Sequence, residues 1–370
     1  MRVAIVTESF LPQVNGVTGS VLKVCEHLLS EGHRVLVVAP GPGPSRHELP
    51  GGASVPVVRV ASAPLLGYAE QRLAVPGPRL AQALRGFRPD VVHLAAPAVL
   101  GAQAATLAQR TGVPAVAVYQ TDLPGYARRY GWRGASEAVW RWLRRVHEMA
   151  ARTLAPSRPV CAELVGRGFP DVSRWPRGVD VERFHPQFRD DALRARVAPR
   201  GELVVGYVGR LAREKELDLL KSVHALPGVR LVVAGDGPQR AHLQRVLPRA
   251  EFLGMVHGRE LSHVFASLDV FVHTGRHETF CQTAQEALAS GVPVVAPAAG
   301  GLLDIVDPGV NGTFFTPGDA RGLADVVAGL SQDPGARREL AGRARASVAG
   351  RDWASVGRDL VENYRAVVPA

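Results

Sequence analysis

His277-Glu278-Thr279-Phe280-Cys281-Gln282-Thr283-Ala284-Gln285-Glu286-Ala287-Leu288-Ala289-Ser290-Gly291-Val292-Pro293 carries a strand exit, a helix and a helix stop in close succession. The apolar run Leu268-Asp269-Val270-Phe271-Val272-His273 before it reads as a buried strand. After Thr274-Gly275-Arg276 the spacing turns helical from about Thr279, and Gly291 and Pro293 end that helix. Val292 to Pro297 is the next strand. Glu278 is therefore expected at a helix N-terminus on the strand-end side of a sheet, with Glu286 two turns further on. Eight helical residues give about 12 Å of rise and about 80° of rotation. Acid/base carboxylate pairs of the glycosidase kind stand only ~5–9.5 Å apart. This pair is too widely spaced to share one bond, but suits opposite ends of one extended ligand. The N–H groups of Phe280, Cys281 and Gln282 would face that ligand between them. A capping Glu and a surface Glu on an ordinary crossover helix fit the same spacing.

Working outward, 370 residues exceed one ordinary core, so two domains are expected. No run of eighteen or more apolar residues occurs, and Met1-Arg2-Val3-Ala4-Ile5-Val6-Thr7-Glu8 reads as a strand, not a signal peptide. Cys25, Cys161 and Cys281 have neither metal nor disulfide spacing, which points to a reducing cytoplasm. A formal charge of +10 calls for an anionic partner: nucleotide, anionic lipid surface or nucleic acid. The last lacks any helix-turn-helix, zinc or RNA-recognition signature, so no nucleic-acid partner is expected. Lys occurs only at 23, 215 and 221, the other cations being Arg, a bias of the kind high-G+C codons impose. That singles out Lys215, beside a glycine turn.

Strands are expected at Val3 to Val6, Arg34 to Ala39, Val55 to Val60, Val91 to Leu94 and Ala115 to Tyr119, with helices at Thr18 to Ser30, Leu80 to Leu84 and Gly101 to Arg110. This alternation gives a parallel sheet with right-handed crossovers. Gly41 to Gly52 and Gly67 to Pro78 read as loops. Arg177 to Pro199, polar and Pro-bearing, reads as the interdomain linker. A second set of strands follows at Leu203 to Val208, Arg230 to Ala234, Ala250 to Leu253, Val270 to His273, Val292 to Ala296 and Thr313 to Phe315. Two such domains on one hinge would form a cleft lined by strand C-termini, where open parallel sheets bind ligands.

Arg128 to Met149 stands apart. It begins Arg128-Arg129-Tyr130-Gly131-Trp132-Arg133 and continues as a helix around Trp140-Arg141-Trp142-Leu143-Arg144-Arg145-Val146-His147. Val139, Trp142, Val146 and Met149 share one face, and Arg141, Arg144 and Arg145 another. A basic amphipathic helix of this kind fits an anionic membrane surface; packing that apolar face into the domain's own core fits equally.

The dinucleotide fingerprint and the Walker A motif are both missing. Val208-Gly209-Arg210-Leu211-Ala212-Arg213-Glu214-Lys215 instead places Arg210 and Lys215 at a strand exit in a glycine turn, suited to clamping a phosphate. Gly16, in the loop after the first strand, allows close backbone approach to a phosphate, with the following helix N-terminus aimed at it.

Gly209-Arg210-Leu211 with Glu214-Lys215, Ala234-Gly235-Asp236-Gly237-Pro238, Glu278 through Glu286 with Ala289-Ser290-Gly291-Val292-Pro293-Val294-Val295, and Pro297-Ala298-Ala299-Gly300-Gly301 together resemble the retaining glycosyltransferases of family 4. Asn311-Gly312 with Pro317-Gly318-Asp319 and the loop Glu8-Ser9-Phe10-Leu11-Pro12-Gln13-Val14-Asn15-Gly16-Val17 extend the likeness to nearly the whole chain. Pro89-Asp90-Val91-Val92-His93-Leu94 and Tyr119-Gln120-Thr121-Asp122 resemble the subgroup of GDP-mannose-dependent α-mannosyltransferases that elongate membrane glycolipids.

The resemblance implies an α/β protein of GT-B architecture. Residues 1–178 would form an acceptor-side Rossmann-like domain, residues 179–351 a nucleotide-sugar domain, and a helix at 352–368 would pack back on the first. It implies that Arg210 and Lys215 neutralise the departing diphosphate and that Gly16 touches it. Glu278 would bind hydroxyls of the transferred sugar with the Phe280 and Cys281 amides, Glu286 would hold the ribose, and Met255 and Val256 would border the base. The donor would be a nucleotide sugar, most simply GDP-mannose, and the acceptor a glycolipid or glycan hydroxyl. No metal or other cofactor is implied, and the enzyme would work in the cytoplasm, peripheral on the inner membrane face. Asp190-Asp191 reads as a pair of solvated acids at a helix start.

Where many relatives carry His, this chain has Gln120, which cannot take a proton but can orient the sugar. Asp122 either assists or caps a turn. Asn15, where glycine often stands, tolerates unusual backbone angles. A UDP-sugar-dependent transferase, a non-catalytic nucleotide-sugar-binding protein and a nucleotide-sugar epimerase remain alternatives on the same fold.

Overall fold

The computed structural model describes residues 1–13, 15–65, 68–75, 77–129 and 135–369. Two units emerge, Met1–Arg177 with Trp353–Ala370, and Gly178–Asp352.

In the first unit the strands are β1 (Arg2–Thr7), β2 (Arg34–Pro40), β3 (Arg46–Glu48), β4 (Ser54–Val60), β5 (Ser62–Leu65), β6 (Tyr68–Ala74), β7 (Val91–Ala95), β8 (Ala115–Val118), β9 (Arg152–Ala155) and β10 (Val172–Arg174). Eight of them form one sheet in the order β10-β9-β8-β7-β1-β2-β4-β3. The pairings are parallel except that β3 runs antiparallel to β4. The sheet is buried on both faces, as parallel sheets are. Val3 and Ile5 of β1 belong to one core layer, and Ala4 and Val6 to the opposite one. The C-terminal helix Trp353–Arg365 contributes Val356, Leu360, Val361 and Tyr364 to the first of these layers. Trp175 Nε1 donates to the Val356 carbonyl at 2.9 Å, and Tyr364 Oη meets His93 Nδ1 at 2.7 Å.

The second unit holds β11 (Leu203–Val208), β12 (Val229–Ala234), β13 (Glu251–Gly254), β14 (Val270–Val272), β15 (Val294–Pro297) and β16 (Gly312–Phe315), ordered β13-β12-β11-β14-β15-β16. All its pairings are parallel, so every strand C-terminus leaves by the same edge. Leu203, Val205 and Tyr207 face one layer of the core, and Val204 and Val208 the other.

Several expectations change. The loop Gly41 to Gly52 contains β3. The expected loop from Gly67 is in large part β6, paired with β5, while Gly67 and Pro76 lie outside the described residues. The expected linker is folded into the second unit: Val179 and Phe184 lie in its core, and Asp190 caps the helix Asp191–Val197 through the Leu193 amide at 2.9 Å. Among the described residues no helix is long and apolar enough to cross a membrane.

The helix expected around Trp140 spans Ala135–Glu148 and buries Trp140, Leu143, Val146 and His147. Its apolar face is thus rotated from the expected one. Val139, Val146 and Met149 do pack inward, but Trp142 is 47% exposed and donates its indole N–H to the Ala98 carbonyl at 3.0 Å. Arg141, Arg144 and Arg145 are exposed. Tyr130, Gly131, Trp132 and Arg133 lie outside the described residues.

Candidate active site

The strand exits of the second unit carry the residues singled out above. After β11 the chain turns through Gly209 and Arg210 into a short 3-10 turn, Arg213–Lys215. The turn is held by Tyr207 Oη donating to the Arg210 carbonyl at 3.0 Å and by Thr274 Oγ1 donating to the Lys215 carbonyl at 2.6 Å. Turns from neighbouring strands pack so closely that only glycine fits: a Cβ on Gly235, after β12, would strike the Gly209 carbonyl. Arg210 is exposed.

After β14 the helix does not begin at Thr279. It spans Gln282–Ala289, because Cys281 adopts φ 120°, ψ 80°, outside any helical region. Glu278 therefore lies on the loop ahead of the helix and only Glu286 is helical, so the 12 Å rise expected between them does not apply. This loop rests on the turn after β15. Gly301 N donates to the Glu278 carbonyl at 2.7 Å, and a Cβ on Gly301 would lie 2.6 Å from Phe280 Cα.

The two turns meet at one carboxylate. Lys215 Nζ pairs with Glu278 Oε1, and His273 Nε2 stands 3.0 Å from the same oxygen. Side-chain exposures are 23% for Lys215, 16% for Glu278 and 3% for His273, so this ion cluster is shielded from bulk water. Burial opposes the ionisation of Glu278, but Lys215 and His273 outweigh it and hold the carboxyl far below its ordinary range. Burial likewise works against the Lys215 charge, and Glu278 more than restores it, pushing the ammonium above its usual range. Burial alone would strip His273 of its proton; Cys281 and Glu278 reverse that and lift it to about 9.

Glu286 differs. Burial raises its carboxyl to about 8 against the opposing pull of Arg183 and Gln282, so it is protonated at neutral pH. Two acids of one segment thus occupy opposite protonation states, one a fixed anion and the other able to donate as well as accept a hydrogen bond. Phe280 and Cys281 are buried; past β13, Met255 is 60% exposed and Val256 buried.

Gly16, Gln120 and Asp122 belong to the first unit. Gly16 opens the helix Gly16–Ser30, and Asn15 Oδ1 accepts from the Val17 and Thr18 amides at its N-terminus. Arg177 Nη1 lies 3.1 Å from where a Gly16 Cβ would stand, and its Nη2 donates to Gln120 Oε1 at 2.5 Å. Asp122 Oδ1 accepts from Gly125 N at 2.7 Å, a turn-capping contact at the start of helix Leu123–Arg129.

Sequence reasoning missed His273, Arg276 and Glu216. In the sequence His273 reads simply as the last residue of a strand. The available signal was an imidazole at a strand C-terminus, five residues ahead of Glu278.

The profile of Glycosyltransferase Family 4 matches residues 14–183, and that of Glycosyl transferases group 1 matches residues 188–347. A protein of Mycobacterium tuberculosis called GDP-mannose-dependent alpha-mannosyltransferase is 51% identical over 99% of this chain and 97% of its own. One of the same name from Mycolicibacterium smegmatis is 48% identical over 100% and 98%. Among solved structures, Anabaena Alr3699/HepE in complex with UDP superposes with a TM-score of 0.80 at 20% identity, covering 99% of this chain and 100% of the other. That likeness establishes the two-domain GT-B fold.

Proposed function

The chain is a glycosyltransferase of family 4, and from that premise we propose that it transfers mannose from GDP-mannose, with retention, to a hydroxyl of a lipid-linked or glycan acceptor. The observation that carries the donor is the 51% identity over nearly the full length of both chains to a relative named for GDP-mannose.

The chemistry follows from the charges. The sugar–phosphate C–O bond breaks, the acceptor oxygen bonds to the anomeric carbon on the same face, and the acceptor proton passes to the departing phosphate oxygen. Negative charge grows on the diphosphate, and fixed cations there lower the barrier. Lys215 and Arg210, leaving one strand end, supply them without a metal ion. Glu278 accepts from hydroxyls of the mannose beside the Phe280 and Cys281 amides, and Glu286 holds the ribose. Met255 and Val256 border the base, an exposed thioether next to a buried aliphatic. The family likeness assigns Gly16 to the diphosphate and Gln120 to orienting the sugar.

The membrane part of the reading rests on the helix Ala135–Glu148, whose outer face shows Arg141, Arg144, Arg145 and a half-exposed Trp142. Guanidinium groups with an interfacial indole suit an anionic bilayer, and so a peripheral enzyme on its cytoplasmic side. Arg141→Glu/Arg145→Glu should abolish co-sedimentation with phosphatidylglycerol vesicles while leaving GDP binding unchanged.

A donor screen tests the main reading: release of GDP, UDP or ADP from the corresponding nucleotide sugars with a lipid extract as acceptor. GDP release from GDP-mannose is expected. Equal release from a UDP-sugar would remove the mannosyl assignment, and donor binding without turnover would leave a sugar-nucleotide-binding protein.

A further inference from the structure

Lys215 has two claims on it. In the structure it neutralises Glu278, and in the reading above, on which this inference rests, it neutralises a diphosphate. An ammonium cannot serve both at full strength. A diphosphate that draws Lys215 toward itself leaves Glu278 as a nearly dry carboxylate, and such a group protonates or turns away unless another cation stays with it. His273 is already there, 3.0 Å from the oxygen that Lys215 holds.

We propose that His273 is the standing counter-ion of Glu278, a positioning residue that keeps this carboxylate charged and fixed while Lys215 turns to the phosphates.

The geometry fits the role. Among the described residues, the polar contacts of the Glu278 side chain, from Lys215 and from His273, fall on Oε1. This leaves Oε2 to accept from a sugar hydroxyl. A bare ring nitrogen facing a carboxylate oxygen at 3.0 Å would be repulsive, so Nε2 carries a hydrogen. The ring does not line up for a regular hydrogen bond there, and among the described residues the buried Nδ1 has no hydrogen-bond partner either. The imidazole is packed in place: it is 3% exposed and stacks on Tyr207 with centroids 6.1 Å apart, while the backbone beneath it is held by His273 N donating to the Val295 carbonyl at 2.9 Å. Gly275 leaves room for it, since a Cβ there would come 3.3 Å from Nε2. The groups facing His273 are Tyr207 from β11, Lys215 from the turn after it, and Glu278 and Cys281 from the loop after β14. Its pKa, lifted to about 9 by Cys281 and Glu278 against burial, agrees with an imidazolium at neutral pH.

Two measurements test this. In GDP-mannose turnover, His273→Gln should lower kcat by roughly 10²-fold, the scale of a misplaced reacting partner. It should leave GDP affinity within about threefold, because GDP lacks the mannose that Glu278 holds. Unchanged kcat in His273→Gln would overturn the proposal, as would a loss of GDP binding matching the loss of kcat. The second measurement needs no substitution at this buried site. In protein labelled with 15N-histidine, the imidazolium signal of His273 should persist to about pH 9. A neutral His273 at pH 7 in the unsubstituted protein would sink the idea even if the variants failed to fold. If the unsubstituted enzyme released no GDP, the donor assignment would fail while the imidazolium measurement still decided the role of His273.

Discussion

Arg276 and Glu216 form a two-pronged ion pair, Nε to Oε1 at 2.7 Å and Nη2 to Oε2 at 2.8 Å. Glu216 follows Lys215 directly and Arg276 stands two residues before Glu278, so this pair ties the two turns of the site together. Both side chains are partly exposed, at 38% and 23%, which limits the stabilisation to about 1 kcal/mol. Its larger effect is on placement. Arg276→Gln and Glu216→Gln should each lower kcat by about tenfold, and the double variant should be no worse than either alone. Effects on kcat that multiply in the double variant would show that the two side chains act separately.

Glu286 predicts a pH dependence of stability. Its folded carboxyl titrates at about 8 against an ordinary 4.5, so between those values the native state binds a proton that the unfolded chain has released. Stability is then highest below about pH 4.5 as far as this group is concerned, and is lost as pH rises through about 8. Glu286→Gln removes that loss. Denaturant unfolding at pH 6 and pH 9 should show the variant gaining on the parent at the higher pH. A stability difference independent of pH would place the Glu286 carboxyl in water.

Gly301 supports Glu278 from below. A methyl there meets backbone atoms of Thr279 and Phe280, which cannot yield as a flexible side chain would. Gly301→Ala should therefore cost ~1–3 kcal/mol, the range of overpacking, and displace the Glu278 loop. Activity should fall more steeply than the folded fraction. If alanine is tolerated with full kcat, the loop is softer than its contacts imply.

Asp122 separates a base from a cap. Its Oδ1 accepts the Gly125 amide, a role asparagine keeps. Asp122→Asn should retain kcat within about threefold, and Asp122→Ala should lose ~1 kcal/mol of stability. A collapse of kcat in Asp122→Asn at unchanged stability would mean that the carboxylate takes a proton.

Much of this was legible in the chain itself. The Val/Leu/Ile runs had to be strands buried on both faces, and Arg210 and Lys215 had to leave one of them together. The meeting of Lys215 with Glu278 followed from two parallel neighbours sending their C-termini the same way. Backbone strain was not legible: nothing in the letter Cys at 281 announces φ 120°, and that residue delays the helix and takes Glu278 off it. Burial of polar rings was equally hidden. His147, lowered to about 3 by desolvation and therefore neutral, packs inward on the helix Ala135–Glu148 while Trp142 stays outside. Counting histidine as polar and tryptophan as apolar turns that face the wrong way. The hydrogen-bond partner of Gln120 needed coordinates too, because Arg177 is distant in sequence.

The pairing of Lys215 with Glu278 at the end of parallel neighbours is what the functional account stands on, and GDP release from GDP-mannose by Lys215→Ala and Glu278→Ala tests it most directly. With donor and lipid extract saturating for the parent enzyme, both variants should fall by ~10²-fold or more, the scale of removing a fixed charge partner from a transition state. Turnover within a few-fold of the parent in either variant would contradict the account.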